Sequence, residues 1–210
     1  MWWNNCQFNK TKKKIKVVFI AEGTSCRFTN KKKHKDKIDK EIEVRNNFGR
    51  KALLDLGVKK FKFYNLKCGK LNSYPITEIA RIIENEIKDF KPDVVLTHSD
   101  NDVNLDHRTV FQASLQSTRP TNKGKVKCLL AFEILSSTEW KFKKIFEPNY
   151  FYCIDRTINQ KIKAMKRYKS EIRKFPHPRS VEGIKAIAKY RGIQSHNKFS
   201  EAFKIIRLFS

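Results

Sequence analysis

Short apolar runs alternate with segments of helical periodicity along most of the chain. Residues 16–21 form the first run; it is rich in β-branched side chains and ends in the polar loop 22–25, so it predicts a buried strand. Isoleucines between Ile76 and Ile87 recur at spacings of three and four, which marks one face of a helix, and Pro92 ends it. This alternation is typical of βαβ units and predicts an α/β fold with a mostly parallel sheet.

The same patterns predict the remaining elements. Gly57 ends the first helix in the sequence LDLGV, and residues 30–40 are polar enough to predict an exposed loop before it. The chain contains neither an internal repeat nor a low-complexity linker, so we expect a single domain over residues 1–210. The further predicted strands are 61–64, 94–97, 126–134 and 150–154, and the further predicted helices are 42–56, 108–117, 158–172 and one that starts at Ser180.

Several classes of protein are excluded or disfavoured by composition. No apolar run approaches the roughly 18 to 20 residues of a membrane-spanning helix, and residues 1–14 lack the apolar core of a secretory signal. We therefore expect a cytoplasmic protein with no membrane span. The five cysteines are odd in number and form no C-x-x-C pair, so we expect reduced thiols that serve in packing.

The charge is strongly basic, with 46 Lys and Arg against 21 Asp and Glu and a net charge of +25. Such an excess is typical of nucleic-acid binders. However, 34 of the 46 basic residues are lysine, and abundant Lys, Ile and Asn also follow from A/T-rich codons. Arginine, which makes bidentate contacts to phosphate and guanine, is not enriched. No recognition motif is present, so we expect no specific nucleic-acid partner.

The richest polar loop follows the strand 94–97. Residues 98–107 contain two histidines and three aspartates, and imidazole and carboxylate are the usual ligands of catalytic zinc. Because parallel sheets bind ligands at the carboxyl ends of their strands, this loop and loop 22–25 are expected on one rim. An alternative remains open: Asn104 or Asp106 caps the next helix, and His107 is then a surface residue of its first turn.

The loop also resembles a known family. The segment T-H-S-D-N-D-V-N-L-D-H-R (97–108) is similar to the second motif of the PIG-L or LmbE-like de-N-acetylases, zinc-dependent hydrolases that remove acetyl groups from amino sugars and related compounds. The resemblance covers roughly residues 10 to 208 and favours the bacterial sugar-deacetylase branch. The further matching segments are 118–120 (TRP), 132–140 (FEILSSTEW), 147–149 (EPN), 161–171 (KIKAMKRYKSE), 176–180 (PHPRS), 191–192 (RG) and 201–203 (EAF).

The resemblance implies a Rossmann-like three-layer sandwich in which His107 binds zinc. The family's first motif, A-H-P-D-D-E, supplies two more ligands and the general base, and it is absent from this sequence. The first strand of the fold is then also missing, and the chain corresponds to an N-terminally truncated domain. We therefore expect the DNA upstream of Met1 to encode that segment. With one ligand of three and no base, we expect the 210 residues to hold no stoichiometric zinc and to show no measurable deacetylation.

The resemblance also assigns roles to individual residues. Asn104 occupies a position from which an amide can donate to a developing oxyanion, and Asp106 corresponds to a carboxylate beside the zinc ligand, although a helix cap has the same sequence. Arg45 matches an arginine near the pocket of relatives, and an exposed helix charge is the alternative. His177 and Arg179 match a recurring motif and are candidates for substrate contact, or for a proline-framed turn held by arginine.

Two functions from different classes follow. The first is a zinc-dependent hydrolase that removes an N-acetyl group from an amino sugar or glycoconjugate. The second is a non-catalytic remnant of this family that acts at most as a binding protein, and a basic nucleic-acid binder is a distant third. The sugar, its carrier and the oligomeric state are left open.

Overall fold

The structure is a computed structural model that describes residues 14–30, 33–120 and 126–209. These residues form an α/β fold that divides into two compact units, one from residues 14–30, 33–69 and 153–200 and the other from residues 70–120, 126–152 and 201–209. The described elements, in chain order, are β1 (Lys16–Ala21), α1 (Lys35–Asp55), β2 (Lys60–Leu66), α2 (Ile76–Phe90), β3 (Val94–Thr97), α3 (Leu105–Ser117), β4 (Cys128–Phe132), β5 (Tyr150–Cys153), α4 (Ile158–Arg167), α5 (Val181–Gln194) and β6 (Ser200–Leu208).

The first unit is built around a parallel pair of strands, with Val17 of β1 opposite Phe61 of β2. Its apolar core joins β1, the end of α1 and the residue after α4, through Val17, Leu53 and Tyr168. Gly57 ends α1 with a positive φ of 76°, as the sequence predicted, because the turn that returns the chain to β2 needs a left-handed residue there.

The second unit contains a four-stranded sheet in the order β3-β4-β6-β5. β3 and β4 are parallel, whereas β6 runs antiparallel to β4. The sheet is therefore partly parallel. β3 has the predicted limits, and the carboxyl end of this strand delivers the histidine-rich loop. Helices α2 and α3 pack against one another in this unit.

Three features differ from the sequence predictions. Helix α1 begins at Lys35 and includes residues that the polar composition assigned to a loop, because Ile38 starts the buried stripe while its charged neighbours stay in water. Strand β6 was not predicted. The expectation of five reduced cysteines is wrong for one pair: Cys26 and Cys68 form a disulfide, since they follow adjacent parallel strands and so meet at one edge of the pair.

No helix among the described residues combines the length and the apolar character needed to cross a membrane.

Candidate active site around His107

The candidate site begins where β3 ends. Thr97 is the last residue of this strand, so the backbone carries His98 and the following loop away from the sheet edge. Asn104 closes the loop as the N-cap of α3, because its side-chain oxygen accepts a hydrogen bond from the backbone N–H of Asp106 at 2.9 Å. The cap fixes the first turn of α3, and His107 projects from that turn.

Asp102 is the carboxylate that contacts His107. Its side chain is fully buried, and Oδ2 lies 2.8 Å from Nδ1 of His107. The other carboxylate oxygen, Oδ1, accepts hydrogen bonds from the backbone N–H of Asn104 at 2.7 Å and from the hydroxyl of Ser137. Asp102 therefore joins the loop to the helix and to the segment after β4.

The same contacts set the charge of Asp102. Burial alone would raise its pKa, but the hydrogen bonds from His107, Ser137 and the Asn104 backbone, together with the charge of His107, hold the pKa of this carboxyl below its ordinary value. An ionised Asp102 can only accept, so Nδ1 of His107 carries the hydrogen in this pair.

The second nitrogen of His107 faces an amide. Nδ2 of Asn104 lies 3.3 Å from Nε2 of His107, and an amide NH₂ is a donor. The contacts thus favour the tautomer with hydrogen on Nδ1 and a lone pair on Nε2. A carboxylate behind the ring and a lone pair in front is the arrangement that metal-ligating histidines use.

His98 lies flat against His107. The ring centroids are 4.2 Å apart with an interplanar angle of 1°, and Nδ1 of His98 is buried with no hydrogen-bond partner among the described residues. Burial, followed by the charge of His107, lowers the pKa of His98 well below its ordinary value. His98 is therefore a neutral ring that supports His107 from the side.

The three aspartates of the loop have three different environments. Asp100 is close to two lysines: its carboxylate pairs with Lys144 at 2.8 Å and its carbonyl accepts from Lys141 at 2.8 Å. Asp106 is buried and accepts from the backbone N–H of Leu71 at 3.0 Å. Asp106, which the sequence singled out, thus connects α3 to the turn before α2. The carboxylate that orients His107 is Asp102, four positions earlier in the loop.

Glu139 adds a second buried carboxyl near Ser137. Its Oε2 accepts from the backbone N–H of Ser137 at 3.1 Å, while Oε1 is buried without a partner among the described residues. Burial is the main cause that raises the pKa of Glu139. Glu139 is therefore harder to ionise than an ordinary glutamate, and it lies in the same segment as Ser137, whose hydroxyl donates to Asp102.

The other three predicted residues lie in the first unit, around Glu171. This buried carboxylate accepts from the guanidinium groups of Arg27, Arg45 and Arg179. Burial opposes ionisation of Glu171, but Arg45 and then Arg27 lower its pKa. Arg45 and Arg179 thus share one partner that the sequence did not single out.

His177 lies beside that cluster, and its Nδ1 accepts from the backbone N–H of Arg179 at 3.0 Å. Burial and the positive charge of Arg179 lower the pKa of His177. The proline-framed turn is therefore held by backbone and arginine contacts.

The described residues supply one good metal ligand but not a complete site. Nε2 of His107 has the lone pair and the carboxylate support that zinc requires. However, no group of three or more His, Cys, Asp or Glu side chains within residues 14–30, 33–120 and 126–209 is arranged to hold a metal ion. A zinc ion bound by three protein ligands does not fit these residues alone.

The family is settled by the sequence itself. Residues 5–118, more than half of the chain, match the sequence profile of PIG-L, described as GlcNAc-PI de-N-acetylase. The chain belongs to the PIG-L family. The matched region includes the whole His107 loop, so the PIG-L motif and the Asp102–His107 geometry coincide. No curated protein matches this PIG-L chain in sequence.

Solved structures show that the PIG-L chain has the fold of known deacetylases. The N,N'-diacetylchitobiose deacetylase from Pyrococcus horikoshii is 16% identical with a TM-score of 0.73, over 96% of this chain and 76% of that protein. A zinc-inhibited form of the teicoplanin deacetylase Orf2 is 16% identical with a TM-score of 0.70, over 96% and 90%. The fold is not limited to deacetylases, because GalB, a 4-carboxy-2-hydroxymuconate hydratase from Pseudomonas putida, is 17% identical with a TM-score of 0.67, over 96% and 88%.

Proposed function

We propose that this PIG-L chain carries the His107 part of a de-N-acetylase site, a hydrolase-type site for an N-acetylated amino sugar or glycoconjugate. The observation that carries the proposal is the buried Asp102–His107 pair. It lies inside the segment that matches the PIG-L profile, and deacetylases share the fold. GalB, a hydratase, has the same fold, but the family description names a de-N-acetylase and gives no support for a hydratase function.

Each residue of the loop has a role in this proposal. Asp102 orients the imidazole, so that Nε2 of His107 can accept a hydrogen bond from an N–H or O–H group of the substrate. The amide N–H of Asn104 donates to the oxygen of the acetamido group as negative charge develops on it. Asp106 holds the start of α3 in place through Leu71. No step of this proposal depends on zinc, because the described residues supply no complete set of zinc ligands.

In the first unit, taken by itself, Arg45, His177 and Arg179 are proposed to bind polar groups of a sugar or its carrier. The proposal for Arg45 and Arg179 is supported by the excess charge at Glu171, where three arginines face one carboxylate.

A second candidate function is a non-catalytic sugar-binding protein of this family. It is favoured because the part of the chain that the structure describes contains no group of three side chains able to hold a metal ion. The experiment that separates the two measures acetate release from an N-acetylglucosaminyl substrate and binding of N-acetylglucosamine, each with and without added zinc. Binding of N-acetylglucosamine without acetate release is the result expected for the binding protein. Acetate release that His107→Ala abolishes would establish hydrolysis by the chain itself, and absence of both binding and release would defeat the proposal.

The variants Asp102→Asn and Asn104→Asp test the assigned roles within the same assays. Asn104→Asp keeps the cap oxygen but removes the amide donor, so it should weaken binding of the acetamido group without loss of helix stability. Asp89→Asn is a matched control, because Asp89 is an exposed carboxylate of α2.

A further inference from the structure

A short segment of the second unit exposes large apolar side chains between lysines. Residues 140–145 have the sequence W-K-F-K-K-I. Phe142 is 83% exposed, Ile145 64% and Trp140 47%. Single exposed apolar residues are common on protein surfaces, but three within six residues, separated by cations, form a patch of the kind that marks an interaction site.

Hydrogen bonds hold residues 140–145 to the loop that carries His107. Nζ of Lys141 donates to the carbonyl of Asp100 at 2.8 Å, and the side-chain amide of Asn101 donates to the carbonyl of Ile145. Phe146, the next residue, is buried. These contacts fix the backbone of residues 140–145 against the His107 loop, while the side chains of Phe142 and Ile145 point into solvent.

A cavity of about 540 Å³ opens beside this segment in the same unit. Its lining includes three cations, Arg108, Lys141 and Lys144, and one carboxylate, Asp100. The apolar part of the lining includes Ile76 and Leu105, which are themselves partly exposed. The lining of the cavity therefore combines a net positive charge with apolar side chains.

The positive charge of this surface favours an anionic partner over a second copy of the chain. A second copy of the chain would bring another positive surface against it, since each copy has a net charge of +25. An anionic bilayer is complementary in both respects. Its phosphates attract lysine and arginine, and its interfacial region accepts Trp and Phe while lysine stems reach back to the headgroups.

We propose that residues 140–145 and the adjoining cavity form a docking surface for an anionic phospholipid bilayer. Phe142 and Ile145 insert at the boundary of the acyl chains, and lipid phosphates lie at Arg108, Lys141 and Lys144. Docking brings the His107 loop to the membrane face, because Asp100 and Asn101 hold the docking surface to that loop. The surface is independent of the reaction and acts whether or not the chain hydrolyses its ligand.

Co-sedimentation with vesicles tests the docking surface at physiological ionic strength. Wild-type protein should partition onto phosphatidylcholine/phosphatidylglycerol vesicles at least tenfold better than onto pure phosphatidylcholine. Lys143→Glu should weaken the partition on anionic vesicles by fivefold or more, because each basic residue near such a surface contributes roughly a fivefold factor. The control Lys185→Glu makes the same charge change at an exposed position of α5 and should have less than a twofold effect.

The apolar contribution separates docking from simple attraction of a basic protein. Phe142→Ser and Ile145→Ser should each reduce the partition by about tenfold, because each buried CH₂ is worth about a fourfold factor. Ile193→Ser is the matched control, since Ile193 is 79% exposed on α5 of the other unit. In a Trp2→Phe/Trp3→Phe background, the emission of Trp140 should shift to the blue on anionic vesicles.

Four results would overturn the proposal. Equal loss with Ile145→Ser and Ile193→Ser, or an unshifted Trp140 emission, would show non-specific electrostatic adsorption. Absence of vesicle binding by folded wild-type protein would exclude a bilayer. A change of oligomeric state in Phe142→Ser, measured by light scattering, would assign the surface to a second copy. Circular dichroism confirms that each variant is folded, and the exposed positions make a loss of folding unexpected.

Discussion

Two buried carboxylates organise the two units, and they differ in what they hold. Asp102 accepts from an imidazole, a hydroxyl and a backbone N–H, so one negative charge orients mostly uncharged groups. Glu171 accepts from three guanidinium groups, so one negative charge faces three positive ones. The first arrangement orients a single ring, whereas the second holds an excess of positive charge in place.

The largest effect is expected at Glu171. Glu171→Gln removes the buried charge that pairs with the partly buried Arg45 and Arg179 and with the exposed Arg27, so the free energy of unfolding should fall by about 3 kcal/mol. Urea denaturation followed by circular dichroism measures the loss. Asp89→Asn, at an exposed position, should change the same quantity by less than about 0.5 kcal/mol.

The stabilisation by Glu171 should depend on pH and should be lost in acid. The folded protein holds the pKa of Glu171 below its ordinary value of 4.5, so the unfolded chain takes up the proton first on acidification. The contribution of Glu171 is therefore fully present above pH 4.5 and is lost as the pH falls through the lowered value. Glu171→Gln should flatten this acid slope, and an unchanged slope would contradict the assignment.

A smaller effect is expected at Asp102. Asp102→Asn leaves the shape of the side chain but replaces an ionised acceptor, and the free energy of unfolding should fall by about 2 kcal/mol. The specific readout is the ¹⁵N NMR signature of His107, which should show the Nδ1–H tautomer in the wild type and a mixture in the variant. Ser137→Ala removes one donor to Asp102 and should retain the wild-type tautomer. A mixed tautomer already in the wild type would contradict the Asp102–His107 pairing.

The N-caps provide a smaller effect that does not depend on charge. Asn104→Ala should destabilise the protein by about 1 kcal/mol, because α3 loses the acceptor for the Asp106 N–H. Ser180→Ala should cost a similar amount in the other unit, where the Ser180 hydroxyl accepts from the Gly183 N–H at 2.8 Å. If Asn104→Asp is as destabilising as Asn104→Ala, the cap is not the cause.

Zinc should have the smallest effect on the 210-residue chain. Protein incubated with zinc and then dialysed should retain less than one equivalent, because one imidazole holds zinc weakly. Thermal denaturation should show a shift below about 1 °C, since only a ligand well above its Kd stabilises the folded state. One equivalent of retained zinc that His107→Ala removes would show that further ligands are present.

The sequence predicted the parts of the fold that depend on neighbours along the chain. The limits of β3, the end of α1 at Gly57 and the cap at Ser180 follow from local patterns. The start of α1 was wrong because one isoleucine among charged residues is too weak a signal. Strand β6 was missed although its segment 203–206 contains Phe and two isoleucines.

The candidate site could be located from the sequence, but the sequence could not show which of its three aspartates has which role. Asp100, Asp102 and Asp106 are equivalent in a sequence, and their roles depend on Lys144, Ser137 and Leu71, which lie more than thirty positions away. The only local signal for Asp102 was its position five residues before His107. Glu171 was hidden for the same reason, because two of its three arginines, Arg27 and Arg45, lie more than one hundred positions away.

The position of β6 has a consequence for synthesis on the ribosome. β6 lies between β4 and β5 in the sheet, yet residues 154–199 are translated before it. During that interval the edge of β4 that β6 will occupy presents unpaired N–H and C=O groups, and β5 has no neighbour in this sheet. The second unit therefore completes its sheet after most of the chain has left the ribosome, and the nascent protein needs protection from edge-to-edge aggregation until then.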